Sequence, residues 1–146
     1  MVIKVGCFLK NALGIFLLSA AMANPVAHAA PPVAHAAPII VITTACDDPI
    51  CSDTPYDFTV IDLGTSLTKG IKDIAVGERR SFRIDKGDFI ITEYVPSSSV
   101  LTDISVIGAT AYKVDLASSS VQLTLAADDE VLITFTNANA VPEPTP

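Results

Sequence analysis

Short runs of alternating apolar and polar residues constrain the fold of this chain more than any other feature of its sequence. From Pro38 onward these runs are rich in β-branched residues, and turn residues separate them every eight to twelve positions. A period of two is typical of half-buried β-strands, and regularly spaced short strands are typical of a sandwich or a barrel. The pattern predicts strands at residues 39–45, 56–62, 79–84, 89–95, 100–107, 111–116, 121–126 and 131–137.

Each predicted strand has one apolar and one polar face. The outward positions carry threonine and charged residues, whereas large apolar side chains occupy the inward positions, namely Phe58, Val60, Phe82, Ile84, Phe89, Ile91, Tyr112, Val114, Val121, Leu123, Val131, Ile133 and Phe135. One buried and one wet face favour antiparallel sheets packed face to face, which predicts an all-β sandwich of 7–8 strands. Lys86-Gly87 is predicted to join a hairpin, and residues 64–77 to form an exposed loop.

The N-terminal residues have the pattern of a secretory signal. Lys4 and Lys10 precede an apolar run at residues 12–23, and small residues follow this run. That run is shorter than the roughly 20 residues that a membrane-spanning helix needs. We therefore predict a signal peptide at residues 1–29, a secreted, extracellular or cell-surface location, and no membrane insertion after cleavage.

The hexapeptide PVAHAA occurs twice, at residues 25–30 and 32–37, so the Ala-His-Ala cleavage pattern also occurs twice. Cleavage after residue 29 leaves a spacer at residues 30–37 before a domain at residues 38–140, and cleavage after residue 36 is the alternative. The simplest interpretation of His28 and His35 is duplication of a spacer and not a metal site.

Cys46 and Cys51 are the two cysteines outside the signal, and Pro49 lies between them. An exported protein meets an oxidising compartment, so we predict a local disulfide. The alternative is a metal site that adds Asp47, Asp48 and Asp53, but two thiols without a second cysteine or histidine pair leave a zinc shell incomplete. We expect no cofactor and no metal.

Three sequence segments resemble the SpaA-type prealbumin-like domains, related to collagen-adhesin B-type repeats, of bacterial pilins and surface adhesins. They are YDFTV at residues 56–60, GDFIITE at 87–93 followed by Val95-Pro96, and VLITFTN at 131–137. The resemblance implies a prealbumin-like or Ig-like Greek-key sandwich. It also implies a non-catalytic structural or adhesive role in a surface or secreted protein.

In that family a buried glutamate promotes an amide bond between a lysine of the first strand and an asparagine of the last. The resemblance assigns the glutamate to Glu93 and the asparagine to Asn137, both on inward faces. Ile42 stands where the family carries the lysine, so we expect no Lys-Asn cross-link. A hydrogen bond between Glu93 and Asn137 is expected instead, because buried polar groups need partners.

Few residues suit catalysis. Both histidines are lost if the second copy is cleaved, the chain has no tryptophan, and no glycine-rich phosphate loop follows a strand. We predict that the protein is not an enzyme. Its net charge of −7 disfavours nucleic acid as a partner.

Several other functions remain open. Calcium binding could use Asp47, Asp48, Asp53 and Asp57, or Asp128, Asp129 and Glu130, although neither group has EF-hand spacing. The basic residues Arg79, Arg80 and Arg83 could dock an acidic protein or protect an edge strand.

The tail at residues 141–146 resembles the start of Val-Pro-Glu-Pro sorting signals, without the helix and basic cluster that follow in those signals. Expected partners are proteins, through self-assembly or a cell-surface contact. A soluble ligand-binding domain is one alternative. A filament in which residues 38–44 complete the sheet of a neighbour is the other.

Overall fold

The computed structural model describes residues 32–48, 51 and 54–141. Within these residues the chain forms nine strands and no helix, and so no helix there could span a membrane. The strands are β1 (Ile39–Cys46), β2 (Tyr56–Asp62), β3 (Thr68–Ile74), β4 (Arg79–Arg83), β5 (Gly87–Tyr94), β6 (Ser99–Ile107), β7 (Ala111–Asp115), β8 (Ser120–Leu125) and β9 (Glu130–Asn139).

The nine strands form two sheets. Sheet A has the order β4-β1-β9-β6, and sheet B has the order β3-β2-β5-β8-β7. The strand pairs are antiparallel except β1 and β9, which run parallel over eight consecutive residue pairs, from Ile39 opposite Glu130 to Cys46 opposite Asn137. The first and last strands therefore lie side by side at the centre of sheet A.

The hydrophobic core lies between the two sheets and takes side chains from both. Alternate residues of the central strands are fully buried, as the sequence pattern predicts. Phe58 of sheet B and Phe135 of sheet A meet edge to face, with ring centroids 4.9 Å apart and planes inclined by 61°. Such aromatic pairs add to the burial energy, so this contact helps to hold the two sheets together.

The predicted all-β fold class is confirmed, and eight of the nine strands occur where the alternation placed them. The prediction of a loop at residues 64–77 was wrong, since β3 (Thr68–Ile74) lies there and pairs with β2. β3 is an edge strand on which most side chains are exposed, so its sequence carries little apolar alternation. Pairing with β2, and not its own pattern, makes it a strand.

One local prediction was also wrong, and one inward position is not buried. Lys86-Gly87 does not join a hairpin, because β4 belongs to sheet A and β5 to sheet B, and the dipeptide links the two layers. Tyr112 lies opposite the buried Leu123, yet it is 56% exposed because β7 is the edge of sheet B. A residue on the inward side of an edge strand need not be covered.

Some of the predicted segments lie outside the described residues. These are the signal peptide at residues 1–29, the whole of the first PVAHAA copy and the tail from residue 142. The described part of the spacer contacts the sandwich: His35 Nδ1 lies 2.7 Å from Asp128 Oδ2, and the amide of Ala36 donates to Asp128 Oδ1 at 2.6 Å. His35 thus has a partner that the sequence did not predict.

Gly108 should tolerate no side chain. Its φ is +87°, and a Cβ built there would overlap the carbonyl oxygen of Glu130 where the chain leaves β6 beside β9. We expect Gly108→Ala to lower the free energy of unfolding by more than about 2 kcal/mol, because backbone strain and a clash add together. Denaturant unfolding measures this change.

Gly70→Ala is the matched control, since a Cβ at Gly70 meets nothing within 4 Å. It should change stability by less than about 1 kcal/mol. Equal losses in the two variants would contradict the close approach at Gly108.

Candidate functional site

Two polar side chains, Glu93 and Asn137, lie in the apolar core. Glu93 is 2% exposed and follows the buried Phe89 and Ile91 on the inward face of β5. Asn137 is fully buried and ends the inward series Val131, Ile133 and Phe135 of β9. Strand alternation alone turns both side chains inward, so the two strands bring them together from opposite sheets.

A hydrogen bond joins the pair across the sandwich. Asn137 Nδ2 donates to Glu93 Oε1 at 2.9 Å. The other two oxygens, Glu93 Oε2 and Asn137 Oδ1, are buried and have no hydrogen-bond partner among the described residues. Each unsatisfied buried polar atom costs on the order of 1–3 kcal/mol, so this arrangement is not the most stable one the core could contain.

Burial changes the ionisation of Glu93. Removal of the carboxyl group from water raises the pKa of Glu93 to about 7, and the hydrogen bond from Asn137 only partly offsets this. A large fraction of Glu93 is therefore a neutral acid near neutral pH. A neutral acid can donate a proton to a neighbouring carboxamide and polarise its carbonyl group, which a carboxylate cannot do.

Covalent and backbone contacts close the chain over this end of the core. Cys46 lies level with Asn137 in the β1–β9 ladder and forms a disulfide with Cys51, whose Cα is 6.0 Å away. The amide of Asp47 donates to the carbonyl oxygen of Asn137 at 3.0 Å. The predicted disulfide is confirmed, and it holds the loop after β1 beside the buried pair.

One neighbouring contact was not predicted. The hydroxyl groups of Tyr56 and Ser99 lie 3.0 Å apart, and both residues are buried. Ser99 is the last residue of a serine-rich segment at residues 97–99, whose composition indicates only that a strand is interrupted there. The sequence therefore carried no signal that the Ser99 hydroxyl group would be buried.

No lysine reaches the pair within the described residues. Lys69, Lys72, Lys86 and Lys113 are all exposed. Lys72 pairs with Asp57 at 2.6 Å, and the Lys69 ammonium lies 4.8 Å from the centre of the Phe82 ring. Among the described residues the core thus contains a carboxyl group and a carboxamide but no amine, so a Lys-Asn cross-link like that of the domains the sequence resembles cannot form from them.

Cys46 of β1 is level with Asn137 but is held in the disulfide, and the β1–β9 register shows how far the next two inward positions of β1 lie from Asn137. Ile42 is level with Ile133, four residues before Asn137, whereas Thr44 is level with Phe135, two residues before it. At about 3.3 Å per residue these offsets are roughly 13 Å and 7 Å along the strand. The four-carbon stem of a lysine could span the second offset and not the first.

The acidic residues proposed for calcium have other contacts. Asp47 accepts a hydrogen bond from Thr102, and Asp48 accepts one from the backbone of Asn139. Asp128 accepts a hydrogen bond from the backbone amide of Ala36 in the spacer, and Asp129 accepts one from the amide of Ala126 in its own turn. Among the described residues no group of three or more His, Cys, Asp or Glu side chains could hold a metal ion, and Asp53 lies outside them.

Comparison with known proteins shows only a distant likeness. No protein-family model matches the sequence, and no curated protein matches it. A bacterial adhesin from Mobiluncus mulieris, which contains intramolecular disulfide, isopeptide and ester bond cross-links, superposes with a TM-score of 0.55 at 11% identity. The match covers 70% of this chain and 41% of the adhesin.

Two further structures match less well. A second crystal form of that adhesin has a TM-score of 0.49 at 14% identity, over 70% of this chain and 41% of the other. The major pilin T-13 of Streptococcus pyogenes has a TM-score of 0.35 at 14% identity, over 69% of this chain and 45% of the pilin. The likeness to the first adhesin structure supports the fold, and this chain spans less than half of that protein.

Glu93→Gln should remove a pH dependence of stability. Because the pKa of Glu93 is about 7 in the folded protein and about 4.5 when exposed, the folded state holds an extra proton between these values. The free energy of unfolding should therefore fall as pH rises from about 4.5 to about 7, by about 3 kcal/mol in total. Denaturant unfolding across this range measures the fall.

In Glu93→Gln this contribution should vanish, so the variant should be the more stable protein above pH 7. Glu130→Gln, at an exposed carboxyl group, is the matched control. If wild type and Glu93→Gln showed parallel pH profiles, a raised pKa at Glu93 would be ruled out.

Proposed function

We propose that this protein is an exported, non-catalytic structural or adhesive module that bears load along its strands outside the cytoplasm, at a bacterial surface or in a secreted assembly. The observation that carries the proposal is the parallel pairing of β1 with β9 over eight residue pairs. The sandwich fold, shared with part of a bacterial adhesin, supports the same assignment.

Because β1 and β9 are parallel, the N-terminal end of β1 and the C-terminal end of β9 leave the domain in opposite directions. The chain enters β1 at Ile39, level with Glu130, and leaves β9 at Asn139, beyond the last pair formed by Cys46 and Asn137. A force between the ends therefore slides one strand along the other. The interstrand hydrogen bonds of such a pair are evenly spaced, so sliding loads them together and not one after another.

The buried pair of Glu93 and Asn137 is consistent with a structural role and not with catalytic turnover of a substrate. Glu93 and Asn137 are almost completely buried, so a substrate has no access to them without unfolding. We infer that they are the remaining part of a cross-linking site that lacks its amine. The disulfide between Cys46 and Cys51 supplies a covalent link at the same end of β1 and favours an oxidising compartment, as the signal-like N-terminal sequence also does.

Donation of residues 38–44 to a neighbouring molecule is disfavoured. β1 pairs with β4 on one side and with β9 on the other, so its departure would break two ladders at the centre of sheet A. If the protein assembles with other copies, contact through surfaces that leave sheet A intact is a better candidate than strand donation.

Single-molecule pulling tests the load-bearing geometry. With handles before residue 38 and after residue 140, we expect a high rupture force, because the whole β1–β9 ladder is sheared. With the second handle moved to position 130, level with Ile39, the same ladder should open pair by pair at a severalfold lower force. Equal forces in the two geometries would contradict the proposal.

Thr44→Lys tests whether the core pair retains its chemistry. The new amine would attack Cγ of Asn137, the neutral Glu93 would relay the proton, and ammonia would leave as the amide bond forms. We expect the intact mass of the soluble variant to be one ammonia lower than its sequence predicts.

Thr44→Lys combined with Glu93→Gln is the control and should keep its full mass. If Thr44→Lys alone folds with its full mass, the pair is only structural, and the load-bearing proposal is unaffected.

A further inference from the structure

The outer face of sheet A, the side turned away from the core, has an unusual distribution of apolar residues. β1 begins with Ile39-Ile40-Val41-Ile42, so apolar side chains point to both sides of the sheet. A strand with such a continuous run is typically covered on both faces. Here Ile40 and Ile42 are buried in the core, whereas Ile39 and Val41 lie half-buried on the outer face.

Neighbouring strands extend this apolar surface. The β1–β9 and β6–β9 registers align Val41, Leu132 and Ile107 in one row across three strands. Ile107 is 64% exposed, and Val100, also on the outer side of β6, is 50% exposed. The outer face therefore carries apolar side chains that are half-buried on the central strands β1 and β9 and open to solvent on the edge strand β6.

Charged residues on this face are separated by sign. Arg79 and Arg83 lie on β4 at one edge, whereas Asp103 lies on β6 at the other edge and Glu130 on the adjacent β9. None of the four makes an ion pair within the described part of the chain. A face that is positive along one edge and negative toward the other is complementary to itself after a two-fold rotation.

We propose that the outer face of sheet A is a dimer interface whose partner is a second copy of this chain. A two-fold axis parallel to the strands places β4 of one copy over β6 of the other, and β1 over β9. Val41 of each copy then meets Leu132 of the other. Arg79, which is level with Ser105, comes within about 7 Å of the row of Asp103, a distance that an arginine side chain spans.

The size of the face limits the affinity. Four strands at about 4.8 Å spacing and about eight residues in length give a surface of roughly 19 by 26 Å. This is about 500 Å² for each copy, or roughly 1,000 Å² in total, near the lower limit for a specific interface. The dimer is consequently a weak one, and its ion pairs make it sensitive to salt.

A charge exchange tests the geometry on the whole purified protein by sedimentation equilibrium at low salt. In Arg79→Glu homodimers the introduced carboxylate would face Asp103 twice, and in Asp103→Arg homodimers the introduced guanidinium would face Arg79 twice. Each variant alone should be monomeric, with the dissociation constant raised at least about tenfold. A mixture of the two variants should dimerise, because the contacts between them can then pair opposite charges.

Ile107→Asp tests the apolar row of Val41, Leu132 and Ile107. It should also raise the dissociation constant at least about tenfold, since it places a charge against a second sheet. Tyr94→Asp is the matched control, because Tyr94 is 76% exposed and lies on the outward face of β5, the central strand of sheet B, so dimerisation of this variant should remain at the wild-type level. Far-ultraviolet dichroism of each variant confirms that the fold is kept.

A wild-type protein that stays monomeric at millimolar concentration would overturn the proposal. So would a mixture of the two charge variants that gains no dimer over either variant alone, because the wild-type dimer would then use another surface. None of these outcomes affects the load-bearing geometry, which is measured on single molecules.

Discussion

The parallel ladder between β1 and β9 is the interaction on which the rest of the structure depends. It joins the beginning and the end of the domain at the centre of sheet A, with β4 and β6 attached on either side. Sheet A therefore cannot form until the last strand is in place, which makes folding dependent on non-local contacts. The same ladder directs a force on the chain ends along the strands, so one interaction determines both assembly of the domain and its mechanical geometry.

The pair of Glu93 and Asn137 shows how a core can keep an unfavourable group for a geometric reason. Burial raises the pKa of Glu93, and two of the four polar oxygen and nitrogen atoms in the pair lack partners among the described residues. An apolar pair of the same size would be more stable. The hydrogen bond of this pair instead links the register of β5 to that of β9, because a shift of one residue in either strand would turn its polar group outward.

The two faces of sheet A differ in how far they are covered by the rest of the chain. The inner face is covered by sheet B within the same chain, and the apolar residues that β1 and β9 turn inward are fully buried. The outer face contains an apolar row that runs from β1 to β6, with basic residues on β4 and acidic residues on β9 and β6, and Ile107 in this row is 64% exposed. The dimer that we propose would give the chain contacts across the strands, in addition to the covalent direction along them.

The sequence by itself determined the all-β class, the inward residues of the central strands, the disulfide partners and the inward direction of Glu93 and Asn137, because each follows from a period of two or from short spacing. Only the tertiary structure decided what depends on distant partners. β3 exists because β2 lies beside it, Lys86-Gly87 crosses between sheets because β4 pairs with β1, and the parallel β1–β9 register places Thr44, and not Ile42, within reach of Asn137. Local pattern fixes which way a side chain points, whereas contacts between distant segments fix what it meets.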